Sequence, residues 1–124
     1  VADMTDTRHL RPLAAVEVEE RIQQVMEAME SATEDYDALA QSAAEAEADY
    51  KRDYARAVLA VITHGEGKMT VLEREARVTL HAADALRHHL ICQAARNASR
   101  EHLLTMRSHM EALRTLASNI RAQT

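Results

Sequence analysis

The chain has 124 residues with a formal net charge of −5, and contains two Gly, one Pro, one Cys, three Tyr and neither Phe nor Trp. So little Gly and Pro leaves few places to turn, and too few aromatics exist to fill a spherical core, which excludes a turn-rich, β-rich globule. The lone Cys92 excludes an internal disulfide, and the absence of an 18-residue apolar run or a signal-peptide pattern points to a reducing cytoplasm with no membrane contact.

Residues 1–14 lack apolar periodicity and contain Pro12, so they are expected to form a flexible arm. From Val18 the apolar residues Val18, Ile22, Val25, Met29, Ala32, Tyr36, Leu39, Ala43, Ala46 and Tyr50 alternate at steps of 4 and 3. That is a heptad seam with Val18 at d and Ile22 at a. Continuing through Tyr54, Ala57 and Val61 inserts an extra step of 4 after Tyr50, a stutter that locally unwinds a supercoil. With no breaker before Gly65, the spacing predicts one helix over 15–63, roughly 70 Å long.

Residues 64–69 supply the interior turn, with Gly65 suited to a left-handed C′ position. Thr70-Val71-Leu72-Glu73 has the spacing of a capping box and starts a new helix. The apolar rhythm slips near His81–Asp84, and Asp84 is a plausible cap. The expectation is either a short helix over 70–81 followed by a long one over 84–121, or one kinked helix. Leu103, Met106, Met110, Leu113, Ala117 and Ile120 then mark a second seam. The predicted fold is all-α: a long antiparallel, coiled-coil-like helical hairpin with a short middle helix, in the single domain 15–124. The first seam, notably Val18, Ile22, Val25, Met29, Tyr36 and Leu39, is continuous enough to hold a homo-oligomer together.

Charge is unevenly placed. Residues 1–50 carry 13 acidic and 3 basic side chains, a net of −10, whereas residues 51–124 carry 7 and 12, a net of +5. Arg100, Arg107, Arg114 and Arg121 recur every seven residues at e positions beside the second seam. Such a row either pairs with carboxylates within or between subunits, or contacts a phosphate backbone. With Val18 set opposite Ile120, Arg121 reaches Glu19 or Glu20, while Arg114 and Arg107 face Met26 and Thr33, which offer no carboxylate. The tyrosines lie on the other helix, Tyr36 and Tyr50 in packing positions and Tyr54 at the edge, so nucleic-acid contact would be electrostatic rather than stacked.

No catalytic constellation is recognisable, and the expectation is a non-enzymatic protein without cofactor. No His has a Glu three residues before it, as a helical di-metal carboxylate site requires, and no HExxH or Cys pair occurs. The seven His imply some pH sensitivity near neutrality. Gly65-Glu66-Gly67-Lys68 lacks the spacing of a phosphate loop. Cys92 is expected to be a small buried hydrophobe, with no Cys–His pairing evident from spacing.

Three stretches carry a resemblance: Ala44-Glu45-Ala46-Glu47-Ala48-Asp49-Tyr50-Lys51, then Thr70-Val71-Leu72-Glu73-Arg74-Glu75-Ala76, and finally Leu113-Arg114-Thr115-Leu116-Ala117-Ser118-Asn119-Ile120-Arg121. Over roughly residues 18–121 the chain resembles small helical accessory proteins of actinobacterial tailed phages, encoded among recombination and replication genes. More distantly, its layout is similar to that of the recombination mediator of T-even phages. The resemblance implies a helical oligomer in a bacterial cytoplasm, with single-stranded DNA or a recombinase as partner. The alternative is a coiled-coil interaction module, or a phage protein binding a host factor, with no DNA contact. Arg107 and Arg114, flanked by Arg100 and Arg121, are the expected contact residues in the first reading, whereas in the alternative the row serves only subunit pairing.

Overall fold

A computed structural model describes residues 10–64, 67 and 69–123, with side chains from residue 15 onward. The described chain forms two α-helices, α1 (Leu10–His64) and α2 (Val71–Ala122), packed against each other as an antiparallel hairpin. Ala, Leu, Glu and Arg are frequent in both helices, and these residues lose little conformational freedom in a helix. Three threonines that compete with the backbone satisfy themselves within the turn. The hydroxyls of Thr33, Thr63 and Thr105 donate to the carbonyls of Met29, Leu59 and Glu101 at 2.8, 2.7 and 3.0 Å.

The helix ends depart from the sequence reading in two ways. First, α1 begins at Leu10, so residues 10–14 belong to the helix rather than to an arm. Pro12 falls in the first turn, where a missing N–H has no intrahelical acceptor to lose. The rest of the expected arm and the expected left-handed Gly65 lie outside the described residues. Second, α2 runs unbroken from Val71 to Ala122, and the separate helices over 70–81 and 84–121 do not exist. Ala82, Ala83 and Ala85 surround Asp84 with strong helix formers, and Ala82 is buried, which holds the backbone in register there. Thr70 does cap α2. Its hydroxyl accepts the Glu73 amide at 3.2 Å, and its carbonyl accepts the Arg74 amide at 3.0 Å.

The chain divides into two compact units. Unit 1 combines the chain up to Asp35 with the stretch from Arg100 onward, and its core holds Val18, Val25, Ala32 and Met110. Unit 2 spans Tyr36–Ser99, and its core holds Ala43, Ala46, Ala57, Val61, Val78 and Ala82. Val58 and Met69 cover the Ala57–Val61–Val78 cluster near the turn.

The seam on α2 is a complete heptad. Val78, Ala82, Ala85, His89, Cys92, Arg96, Ser99, Leu103, Met106, Met110, Leu113, Ala117 and Ile120 alternate at steps of 4 and 3, and every one is buried or half-buried. The apparent slip near His81–Asp84 arises because four consecutive members, His89, Cys92, Arg96 and Ser99, are polar or sulfur-bearing. On α1 the seam passes through half-buried Asp53 instead of Tyr54, which is exposed. The rhythm therefore holds to Ala57, and the extra step of 4 falls between Ala57 and Val61.

Candidate interaction surfaces

The arginine row lies along an edge of α2, and Arg100, Arg107, Arg114 and Arg121 are all exposed. Within unit 1, Arg107 and Arg114 line an open hollow of about 290 Å³ with Met26, Met29, Met110, Glu30 and Glu111. The register inferred from Val18 opposite Ile120 places Arg114 correctly beside Met26, whereas Arg107, set opposite Thr33 in that register, shares the same hollow. That register misses the carboxylates one turn on, Glu30 four residues after Met26 and Glu111 four after Arg107. Neither carboxylate comes within ion-pair distance, and among the described residues Arg100, Arg107 and Arg114 form no salt bridge. Arg107 and Arg114 share the hollow with three methionines and are both exposed.

Arg121 is placed differently. It shares a smaller hollow with Ala15, Glu19, Ile22 and Ala117, and its Nε donates to the Ala117 carbonyl at 3.4 Å. An arginine that returns to the last carbonyls of its own helix also complements the negative end of the helix dipole.

The expected oligomer seam is largely used within the hairpin. Val18 and Val25 are buried by the chain itself, and Ile22, Met29, Tyr36 and Leu39 are half-buried. These six residues therefore present little free surface to another copy.

Unit 2 has a polar layer in its seam. The Tyr50 ring stacks on Tyr54 with centroids 6.1 Å apart and meets the His89 ring edge-on at 5.8 Å. Buried His89 Nδ1 has no hydrogen-bond partner. Counting outward from the Tyr50–His89 contact sets Ala46 level with Gln93, beside Cys92, and Ala43 level with Arg96. Both alanines are only 2% exposed, so small α1 residues receive the bulkier α2 ones. Nearby, Lys51 donates to Glu47 at 3.2 Å. That hydrogen bond and the lysine charge hold the Glu47 carboxyl below its ordinary value. The charges of His89 and Arg96 act in the same direction, against a small opposing effect of burial.

Cys92 is half-buried, and its Sγ lies 3.7 Å from Nε2 and 3.9 Å from Nδ1 of His88. This corrects the expectation of no Cys–His neighbour, since His88 precedes Cys92 by one helical turn. Nearly equal distances to both ring nitrogens mark a packing contact rather than one directed hydrogen bond. Among the described residues no three His, Cys, Asp or Glu side chains converge as a metal site, and no helix is long and apolar enough to cross a membrane.

Comparison with protein-family models, with curated proteins and with solved structures finds no match.

Proposed function

We propose that the protein is a non-enzymatic helical accessory factor that binds a polyanion, single-stranded DNA in the first instance, along Arg100, Arg107 and Arg114. This is the recombination or replication role implied by its resemblance to small phage proteins. The reading is supported by one observation: among the described residues these three exposed guanidinium groups have no carboxylate partner. Spaced seven residues apart, they repeat about every 10 Å along one helix edge, a spacing suited to a charged backbone rather than to a compact anion.

The test is fluorescence anisotropy with a labelled single-stranded oligonucleotide at two salt concentrations. Three or four phosphate contacts predict a log–log salt slope of roughly −2 to −3. Arg107→Glu/Arg114→Glu should abolish binding while leaving the helical circular dichroism unchanged. No binding at low salt rules out DNA as the ligand. A second reading is favoured by Glu30 and Glu111 beside the two arginines, since fixed carboxylates repel a phosphate backbone. There the row grips a protein partner bearing both charges, and no DNA is contacted.

A further inference from the structure

Unit 2 carries a second heptad that the hairpin leaves largely uncovered, with Leu86 half-buried and the other five members exposed. Leu72, Ala76, Thr79, Ala83, Leu86 and Leu90 follow one another on α2 at steps of 4, 3, 4, 3 and 4. Apart from Leu72, each lies one residue beyond a position of the Glu75–Val78–Ala82–Ala85–His89 register, so the stripe sits about 100° around the helix from the buried seam. Leu72 is 76% exposed and Leu90 51% exposed. The middle of the stripe lines an open groove of about 580 Å³, bordered by Arg87 and Ile91.

We propose that this stripe binds the same stripe of a second copy, antiparallel, about a two-fold axis midway between Thr79 and Ala83. Size complementarity is the first argument. Counting outward from that axis sets Thr79 opposite Ala83, Ala76 opposite Leu86 and Leu72 opposite Leu90 of the second copy. The central Thr79–Ala83 layer is small on both sides and allows close approach, the Ala76–Leu86 layer sets small against large, and one self-complementary surface supplies both halves.

Charge is the second argument. Arg87 and Glu73 occupy the same position of this heptad, so the two-fold axis sets exposed Arg87 on the same flank as Glu73 of the second copy and within one helical turn of it. Neither forms an ion pair in its own chain among the described residues, and the two-fold axis makes the pairing twice.

The assignment is independent of polyanion binding, because the arginine row belongs to the other unit.

Sedimentation equilibrium of the full chain tests it. The wild type should weigh about twice its 13.9 kDa. A monomer mass at the highest workable concentration overturns the proposal. Leu86→Glu/Leu90→Glu should be monomeric, and a dimer that persists in this variant places the interface elsewhere and overturns it too. Arg87→Glu guards against misfolding, being a surface change. It should weaken the dimer about tenfold, and Glu73→Lys added to the same chain should restore it. Loss with restoration supports the antiparallel pairing. An undiminished dimer in Arg87→Glu, or failure of the restoring change, rejects it.

Discussion

Where unit 1 places Val18, Val25 and Met110 in its core, unit 2 places Ala43, Ala46, Ala57 and Ala82 beside Val61 and Val78. Both are built on the same seven-residue repeat. Unit 1 is held by apolar volume, contributed from both helices. Unit 2 is held by close approach, with 2%-exposed alanines on α1 accommodating His89, Cys92 and Arg96 on α2. An alanine buries little apolar surface, so the layers at Ala43 and Ala46 contribute less than those at Val18, Val25 and Met110, while Val61 and Val78 supply apolar volume near the turn. The α2 stretch of unit 2 must therefore rely on backbone continuity and helix propensity, and the alanines at 76, 82, 83, 85, 94, 95 and 98 supply that propensity.

The largest expected effect comes from attacking that continuity. Ala85→Pro introduces a ring that clashes one turn back and removes a helix hydrogen bond at a half-buried seam position. It should destabilise the protein by about 3 kcal/mol or more, read as a large fall in melting temperature by circular dichroism. If a helix instead started at Asp84, residue 85 would be its first helical position and would accept Pro readily. A cost below about 1 kcal/mol would sink the continuous α2.

Truncating the cores probes the contrast in volume. Met110 is 4% exposed and borders the hollow shared by Met26 and Met29. Met110→Ala should cost about 2–3 kcal/mol, toward the low end for such changes because the hollow already leaves room to collapse. The corresponding truncation in unit 2, Ala46→Gly, should cost only about 1 kcal/mol, most of it backbone entropy. Equal losses in chemical denaturation would show that the two units do not differ in the way their side chains suggest.

The same contrast decides what could be read from sequence. The α1 seam was legible from Val18 to Tyr50 because almost every member is apolar. The Thr70 cap and the hairpin followed from one capping pattern and one Gly-containing turn. On α2 only the stretch inside unit 1 was legible, since Leu103 to Ile120 is apolar throughout. Between Ala85 and Leu103 the heptad is carried by His89, Cys92, Arg96 and Ser99, and hydrophobic periodicity is blind to polar residues at core positions. That produced the break near His81–Asp84 and hid the His88–Cys92 neighbours. It also drew attention to Tyr54 rather than Asp53, because an aromatic looks more core-like than a carboxylate. The position of Arg114 opposite Met26 was legible from register alone, whereas Arg107 was set opposite Thr33 and lines the same hollow. Their flanking Glu30 and Glu111 were not legible, because a count along one row omits residues a turn away.

The smallest expected effect tests whether the polar layer limits unit 2. His89 occupies a seam position, yet its Nδ1 is buried without a hydrogen-bond partner. An unsatisfied buried polar atom costs about 1–3 kcal/mol. His89→Leu removes that cost and adds apolar volume at a heptad position, but loses the edge contact with Tyr50, worth about 0.5–1.5 kcal/mol. The balance favours the variant by about 1 kcal/mol, a rise of several degrees in melting temperature. His89→Phe keeps an aromatic edge against Tyr50 and separates the two contributions. If Leu destabilises and Phe does not, the ring contact with Tyr50 outweighs the orphaned nitrogen. If both destabilise, the imidazole nitrogens themselves hold the layer, and unit 2 is stabilised by its polar seam rather than in spite of it.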